Sequence, residues 1–236
     1  MKMDRNKMHK SVLGFSVPQK LLFFLALFFT GFTFAAALDV FDYPLSAETL
    51  PQYTIICNRL SEHPLIKGTF EQTKTIKRLG RSLNSKGNFI IAAELGMVWD
   101  TLSPFPSLMA VGRDFIIQTG PGGTKSKLDA QGNETFISLA DTISAVFSGN
   151  SRILRDKFEN YFFQDTESGS WTLGLVPRDE AVRVFADRII LGGENLPAHI
   201  KTIVIYSRNG DLISYSLENH RFPGELDDHE KAFFSF

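Results

Sequence analysis

Alternation of apolar and polar side chains is the feature that most limits the fold of this chain. Segments 68–79 and 83–92 alternate in this way, and such a period of two predicts strands with one buried face. Shorter segments of the same kind follow, at 97–101, 107–111, 114–118, 158–164, 171–176, 182–191, 200–206 and 212–217. Turn residues separate them, and Asn209-Gly210 marks the clearest hairpin. Many short strands with frequent turns predict an antiparallel sheet or barrel.

Two segments show a helical period instead. Residues Ala47 to Glu62 carry apolar side chains at spacings of three and four, with Ser46 as the expected N-cap and His63-Pro64 as the stop. A second helix is predicted from one apolar stripe that ends at Gly149-Asn150. The stripe consists of Ile137, Leu139, Ile143, Val146 and Phe147. The sequence thus predicts a mainly β (α+β) domain of about ten or eleven strands with two helices.

The first 37 residues are typical of an export signal. Basic residues precede an apolar run from Leu21 to Phe34, and Ala35-Ala36-Ala37 follows. The run is shorter than the roughly 20 residues of a membrane span, so cleavage after Ala37 is predicted. Residues 38–236 then form a single exported domain. An uncleaved N-terminal anchor is the alternative.

Composition excludes several classes of protein. The 25 Lys+Arg and 26 Asp+Glu are too balanced for an electrostatic nucleic-acid binder, and 43% hydrophobic residues are too many for a disordered chain. Cys57 is the only cysteine, so no internal disulfide can form. It lies in an apolar run and is predicted to be a small buried side chain.

The chain lacks the usual signatures of catalysis. Neither G-x-S-x-G nor H-E-x-x-H occurs, and the Gly120–Lys125 segment lacks the spacing of a phosphate loop. The acidic cluster at 225–230 has no ligand periodicity and is predicted to be solvated. We therefore expect no catalytic residue, no metal site and no cofactor.

Two helices can cover only part of one face of a sheet with ten or eleven strands. A half-closed barrel with helices across its mouth would enclose an apolar cavity, and such cavities bind acyl chains because binding removes apolar surface from water. The alternative is that the same Phe and Ile side chains fill a compact core. Periodicity does not choose between them.

Six phrases in order resemble the LolA family of periplasmic lipoprotein carriers. Each is weak alone, and together they cover most of residues 47–217. They are Phe70-Glu71-Gln72, Leu83 to Phe89, Gly96-Met97-Val98-Trp99, Thr101 to Phe105, Trp171 to Asp179 and Asn209-Gly210-Asp211.

This resemblance implies an unclosed antiparallel β-barrel of about 11 strands, with a helical lid over a hydrophobic cavity. It implies a monomeric periplasmic carrier that takes the acyl chains of lipoproteins from an inner-membrane ABC transporter of the LolCDE type to an outer-membrane acceptor. By motif, Phe70, Phe89 and Trp99 lie at the cavity. Alternation adds Ile91, Phe115, Ile117, Trp171, Leu173, Ile203 and Ile205. The lid stripe is Leu139, Ile143, Val146 and Phe147.

One departure separates the chain from well-known members of the family. In those members an Arg lies shortly before the Trp, and this Arg bonds to the lid. Here the same stretch is Ala92-Ala93-Glu94-Leu95, which has no Arg. The cargo is therefore open. One alternative is a carrier of another envelope lipid or glycolipid. A second is a lipid-sensing regulatory module, and a third is an enzyme that acts on envelope lipid through Asp100, Asp211 and His220.

Overall fold

The computed structural model describes residues 39–112, 114–120, 122–129, 144–183 and 186–235. Eleven strands form one antiparallel sheet. Their bounds are β1 Leu65–Ile76, β2 Arg81–Ala92, β3 Gly96–Ser103, β4 Ser107–Val111, β5 Phe115–Thr119, β6 Lys125–Asp129, β7 Phe158–Gln164, β8 Trp171–Pro177, β9 Arg188–Asn195, β10 Ala198–Tyr206 and β11 Leu212–Arg221. The helices are α1 Leu50–Leu60, α2 at 144–148, α3 Ser151–Lys157, α4 Glu180–Arg183 and α5 Asp228–Lys231.

The strand order is β6-β5-β4-β3-β2-β1-β11-β10-β9-β8-β7. Two meanders therefore meet where β1 pairs with β11, and β6 and β7 are the two edges. No pairing joins these edges within the described part of the chain, so the sheet is open. The predicted mainly β, unclosed antiparallel architecture is confirmed.

Helices cover one face of the sheet, which we call the inner face. Tyr53, Ile56 and Leu60 of α1 and Val146 of α2 pack with the side chains of Phe70 and its neighbours in one buried cluster. Burial of Cys57 in this cluster raises the pKa of its thiol to about 11, so the thiol stays protonated at neutral pH. The prediction of a small, buried cysteine side chain is confirmed.

The C-terminal segment covers part of the opposite, outer face. Leu226 is buried against Ile90 and Val98, and Phe233 and Phe234 pack around them. Glu230 of α5 forms an ion pair with Lys67 of β1. The acidic cluster is therefore not simply solvated, because one of its carboxylates holds the C-terminal segment on the sheet.

Breaking this ion pair should loosen the C-terminal segment. Both side chains are mostly buried, at 14% and 16% exposure, and Glu230 also accepts the backbone N–H of Asp227 at 2.9 Å. We expect Glu230→Ala to lower the free energy of unfolding by about 2 kcal/mol in a denaturant titration. Asp228→Ala is the matched control, since its fully exposed pair with Lys231 should contribute almost nothing. Equal losses in both variants would contradict this role of Glu230.

Most predicted elements occur with shifts of a few residues at their ends. Other differences go beyond the ends of elements. The N-cap of α1 is Thr49 and not Ser46, the segment that begins at Val182 opens with the short helix α4, and β6, α3 and α5 were missed. Residues 1–37, Leu139 and Ile143 lie outside the described residues. Among the described helices, none is long and apolar enough to cross a membrane.

Candidate functional site

Four aromatic side chains form a cluster on the inner face. The ring of Phe70 lies 5.0 Å from Trp99 and 6.1 Å from Tyr215, between centroids. Trp99 also stacks with Phe89 at 5.8 Å and meets Tyr215 edge-on at 5.3 Å. Phe70 and Phe89 are each only 1% exposed. The cluster joins four adjacent strands, β11, β1, β2 and β3.

A glycine lies opposite each of the two phenylalanines. Phe89 lies opposite Gly68, and Phe70 lies opposite Gly87. A Cβ on Gly68 would stand 2.6 Å from the Phe89 ring, whereas a Cβ on Gly87 would stand 1.9 Å from the carbonyl oxygen of Asp100 on β3. The pattern Gly68-x-Phe70 on β1 and Gly87-x-Phe89 on β2 therefore fixes both rings on one face.

The described residues enclose a cavity of about 230 Å³ beside this cluster. Its floor is apolar, with Ile91, Met97 and Val111 from the sheet and Phe147 from α2. Polar side chains also line it, namely Ser61, His63, Ser144 and Ser148. It is smaller than the roughly 300–1,000 Å³ of common ligand pockets, because side chains fill much of the space between sheet and helices.

Trp99 carries a buried N–H that has no partner among the described residues. Its side chain is 7% exposed, and its Nε1 makes no hydrogen bond. Trp171, by contrast, donates its Nε1–H to the carbonyl oxygen of Glu194 at 2.9 Å. An unpaired buried donor costs about 1–3 kcal/mol. The indole of Trp99 is therefore a ready donor to an acceptor atom of a bound molecule or to water.

The inner face continues from the aromatic cluster to exposed apolar side chains. Met109 lies opposite Trp99 and is 38% exposed. Leu83, opposite Lys74, is 58% exposed on the same face, but the hydrogen-bonded pair of Gln72 and Ser85 separates it from the aromatic cluster. At the centre of the face, by contrast, burial of the Tyr215 hydroxyl raises its pKa to about 12. The inner face thus runs from a desolvated centre to an apolar margin that solvent reaches.

The structure places eight of the ten residues predicted at the cavity in or against the buried inner cluster, and of the ten only Ile91 lines the cavity itself. Seven belong to the buried inner cluster and Ile205 packs against it. Phe115 and Ile117 instead lie in the outer-face cluster, and their neighbour Ile116 points to the inner cluster. The expected face was therefore wrong for β5, because the backbone pairs Ile116 with Val111 and Ile117 with Ala110.

Two of the four predicted lid residues can be placed. Val146 is buried in the inner cluster, and Phe147 packs against that cluster and lines the cavity. Glu94, which stands near the position of the missing Arg, is exposed and forms no ion pair with any residue that the structure describes.

Several inner-face residues were missed at the sequence level. Tyr215, Met109 and Val111 lie on strands that were predicted. Period-two counting from Leu217 would have found Tyr215, whereas placing Met109 and Val111 on the inner face requires the pairing of β3 with β4.

The three residues considered for catalysis do not converge. Asp211 lies in the β10–β11 turn and His220 near the other end of β11, which puts them about 30 Å apart along an extended strand. Asp100 accepts a hydrogen bond from Asn88 at 3.4 Å. Burial and the nearby His199 lower the pKa of His220, whose ring lies 5.6 Å from Phe89.

No protein-family model matches the chain, and no curated protein sequence matches it. Solved structures that are similar include a DUF1329 family protein from Desulfovibrio piger, at 9% identity and a TM-score of 0.46 over 78% of this chain and 95% of that one. A LolA superfamily protein from Nitrosomonas europaea matches at 10% identity and a TM-score of 0.38, over 75% and 95%. Lipoprotein LppX from Mycobacterium tuberculosis matches at 10% and 0.41, over 77% and 100%.

Proposed function

We propose that this chain is a non-enzymatic, LolA-like carrier that works in the periplasm and binds acyl chains on its inner face. The observation that carries the proposal is the continuity of apolar surface from the buried Phe70–Trp99 cluster to the cavity beneath α2 and to exposed Met109. If the inner face only formed a packed core, its apolar side chains would all be buried. The inner face instead extends to apolar side chains that solvent reaches, and an acyl chain needs such an opening to enter.

The cavity would hold the first part of an acyl chain. Its floor of Ile91, Met97 and Val111 supplies apolar contact, while Ser144 and Ser148 can meet a polar headgroup. Phe147 of α2 both lines the cavity and packs against the inner cluster, so a shift of α2 would widen the cavity. The expected cargo is the acyl chains of lipoproteins, received from an ABC transporter of the LolCDE type and passed to an outer-membrane acceptor.

Filling the cavity should abolish acyl-chain binding without unfolding the chain. We expect Val111→Trp to weaken the binding of a fluorescent fatty acid by at least about tenfold, since its indole would occupy the cavity. Ser144→Trp adds the same bulk at an exposed lining position and covers the case in which the first variant does not fold. Leu102→Trp, at a side chain 54% exposed outside the cavity, is the control. Unchanged binding in both folded cavity variants would sink the proposal.

The cargo itself is found by mass spectrometry of the protein purified from the periplasm. Acyl chains joined to a peptide identify a lipoprotein carrier, and a free lipid or glycolipid identifies the alternative cargo. Depletion separates a carrier from a lipid-sensing module. Loss of a carrier leaves lipoproteins in the inner membrane, whereas loss of a sensor changes signalling without moving them.

A further inference from the structure

The hairpin of β1 and β2 is strongly basic at its turn. Residues 72–93 contain five basic side chains and no Asp or Glu. We call these five residues the basic tip. They are Lys74, Lys77, Arg78, Arg81 and Lys86. The concentration is local, because residues 38–236 as a whole carry 20 Lys+Arg against 25 Asp+Glu.

The basic tip projects beyond the neighbouring strands on one side. β3 ends at Ser103, opposite Lys86, so residues 81–85 of β2 extend about 17 Å without a strand partner on that side among the described residues. On the other side, β11 begins at Leu212, opposite Thr75. The turn between β1 and β2 is the 3₁₀ helix Lys77–Leu79.

Within the described ranges, no ion pair neutralises the charges of the basic tip. Lys77, Arg78, Arg81 and Lys86 are exposed, and none of the five forms an ion pair with a residue in the described ranges. Two carboxylates lie near these cations. Asp211 accepts the backbone N–H of Lys77 at 3.0 Å, and Glu71 is the cross-strand partner of Lys86, although no ion pair joins those two side chains. Elsewhere cations such as Arg208 and Lys201 are paired with carboxylates.

Two leucines are exposed among these cations. Leu79 at the turn is 56% exposed, and Leu83 on β2 is 58% exposed. A single exposed leucine is ordinary. Two leucines within a cluster of unpaired cations match the chemistry of an anionic lipid surface, where phosphates meet the cations and the interface takes up the apolar side chains.

The hairpin is ordered before it meets a partner. Thr73 donates a hydrogen bond to Asn84 at 3.0 Å, and the hydroxyls of Thr75 and Ser82 lie 3.0 Å apart. Gly80 closes the turn in the left-handed region at φ 57°. Docking would therefore require little ordering of the backbone.

We propose that the basic tip docks the protein on an anionic phospholipid bilayer, with the cations on lipid phosphates and Leu79 and Leu83 in the headgroup region. This surface is separate from the acyl-chain cavity, so the inference does not rest on the proposed function. An acidic protein is the competing partner, but charge complementarity to a protein does not require two exposed leucines.

The test is flotation of the protein, in the form in which cells export it, with vesicles. Equimolar phosphatidylglycerol and phosphatidylcholine is compared with phosphatidylcholine alone. We expect binding only to the anionic vesicles, with release by salt. The triple variant Lys77→Gln/Arg78→Gln/Arg81→Gln should bind about 100-fold more weakly, and Leu79→Ser/Leu83→Ser about tenfold.

Matched controls place the same changes away from the basic tip. Lys125→Gln/Arg152→Gln/Arg221→Gln removes the same charge, and Leu196→Ser removes a leucine that is 78% exposed at the other end of the sheet. Both should bind within about twofold of the parent. All variants have the same N terminus, so a difference in flotation between the variants and the parent reports the contribution of the substituted residues. No flotation, equal binding to both vesicles, or equal losses in the controls would overturn the proposal, as would capture of an acidic protein without any flotation.

Discussion

Replacing Phe70 with alanine should lower the free energy of unfolding by about 4 kcal/mol. Phe70 is 1% exposed and joins Trp99 and Tyr215, so its removal leaves a void at the centre of the inner face. Gly87 lies opposite it on β2 and offers no side chain that could fill the void. Denaturant titration of the variant measures the loss.

Phe105→Ala is the matched control for this substitution. Phe105 lies in the β3–β4 turn and is 74% exposed, so its truncation should change stability by less than about 0.5 kcal/mol. The same pair can be compared for binding of the fluorescent fatty acid. A loss at Phe70 no larger than that at Phe105 would mean that the inner cluster is not a packed core.

Period-two reasoning predicted most of the sheet because most strands have one apolar face. Phe70 lies between the polar Thr69 and Glu71, and Phe89 follows the polar Asn88, which is enough to place both rings on the inner face, where the structure has them. The alternation also located the turn at Asn209-Gly210, which the structure places between β10 and β11. The local pattern was enough to predict the buried face of a strand where the other face of that strand is exposed to water.

The pattern failed on β5 for a physical reason. Its residues Phe115, Ile116 and Ile117 are all apolar, because the inner cluster covers one face and the C-terminal Phe233 and Phe234 cover the other. A strand that is buried on both faces loses alternation. Only the pairing of Ile116 with Val111 sets the faces, and that register depends on contacts far apart in sequence.

The small cavity was also beyond the sequence. Alternation identified an apolar face but not how much of it helices and side chains would fill. The unpartnered N–H of Trp99 depends on the placement of its neighbours in space, and no local signal marks it. The basic tip, in contrast, is plain in the sequence as a run of cations without acids, but its projection past β3 requires the strand register.

Gly96→Ala should destabilise the chain nearly as much as Phe70→Ala, by about 4 kcal/mol. Gly96 opens β3 with φ 123°, a conformation that L-residues rarely adopt. An added Cβ would also stand 1.9 Å from the carbonyl oxygen of Val111. Backbone cannot give way as a flexible side chain can, so the β3–β4 pairing must shift.

Gly123→Ala separates the cost of the positive φ from the cost of the steric clash. Gly123 also has a positive φ, 79°, but an added Cβ would meet nothing within 4 Å, so only the conformational cost of about 1 kcal/mol remains. Denaturant titration of both variants gives the difference, which measures the close approach of β3 and β4. Because Gly96, Met97 and Val111 all line the cavity, a forced shift at Gly96 should also weaken fatty-acid binding, whereas Gly123→Ala should leave it intact. Equal stability losses in the two variants would show that this close approach does not hold the cavity in shape.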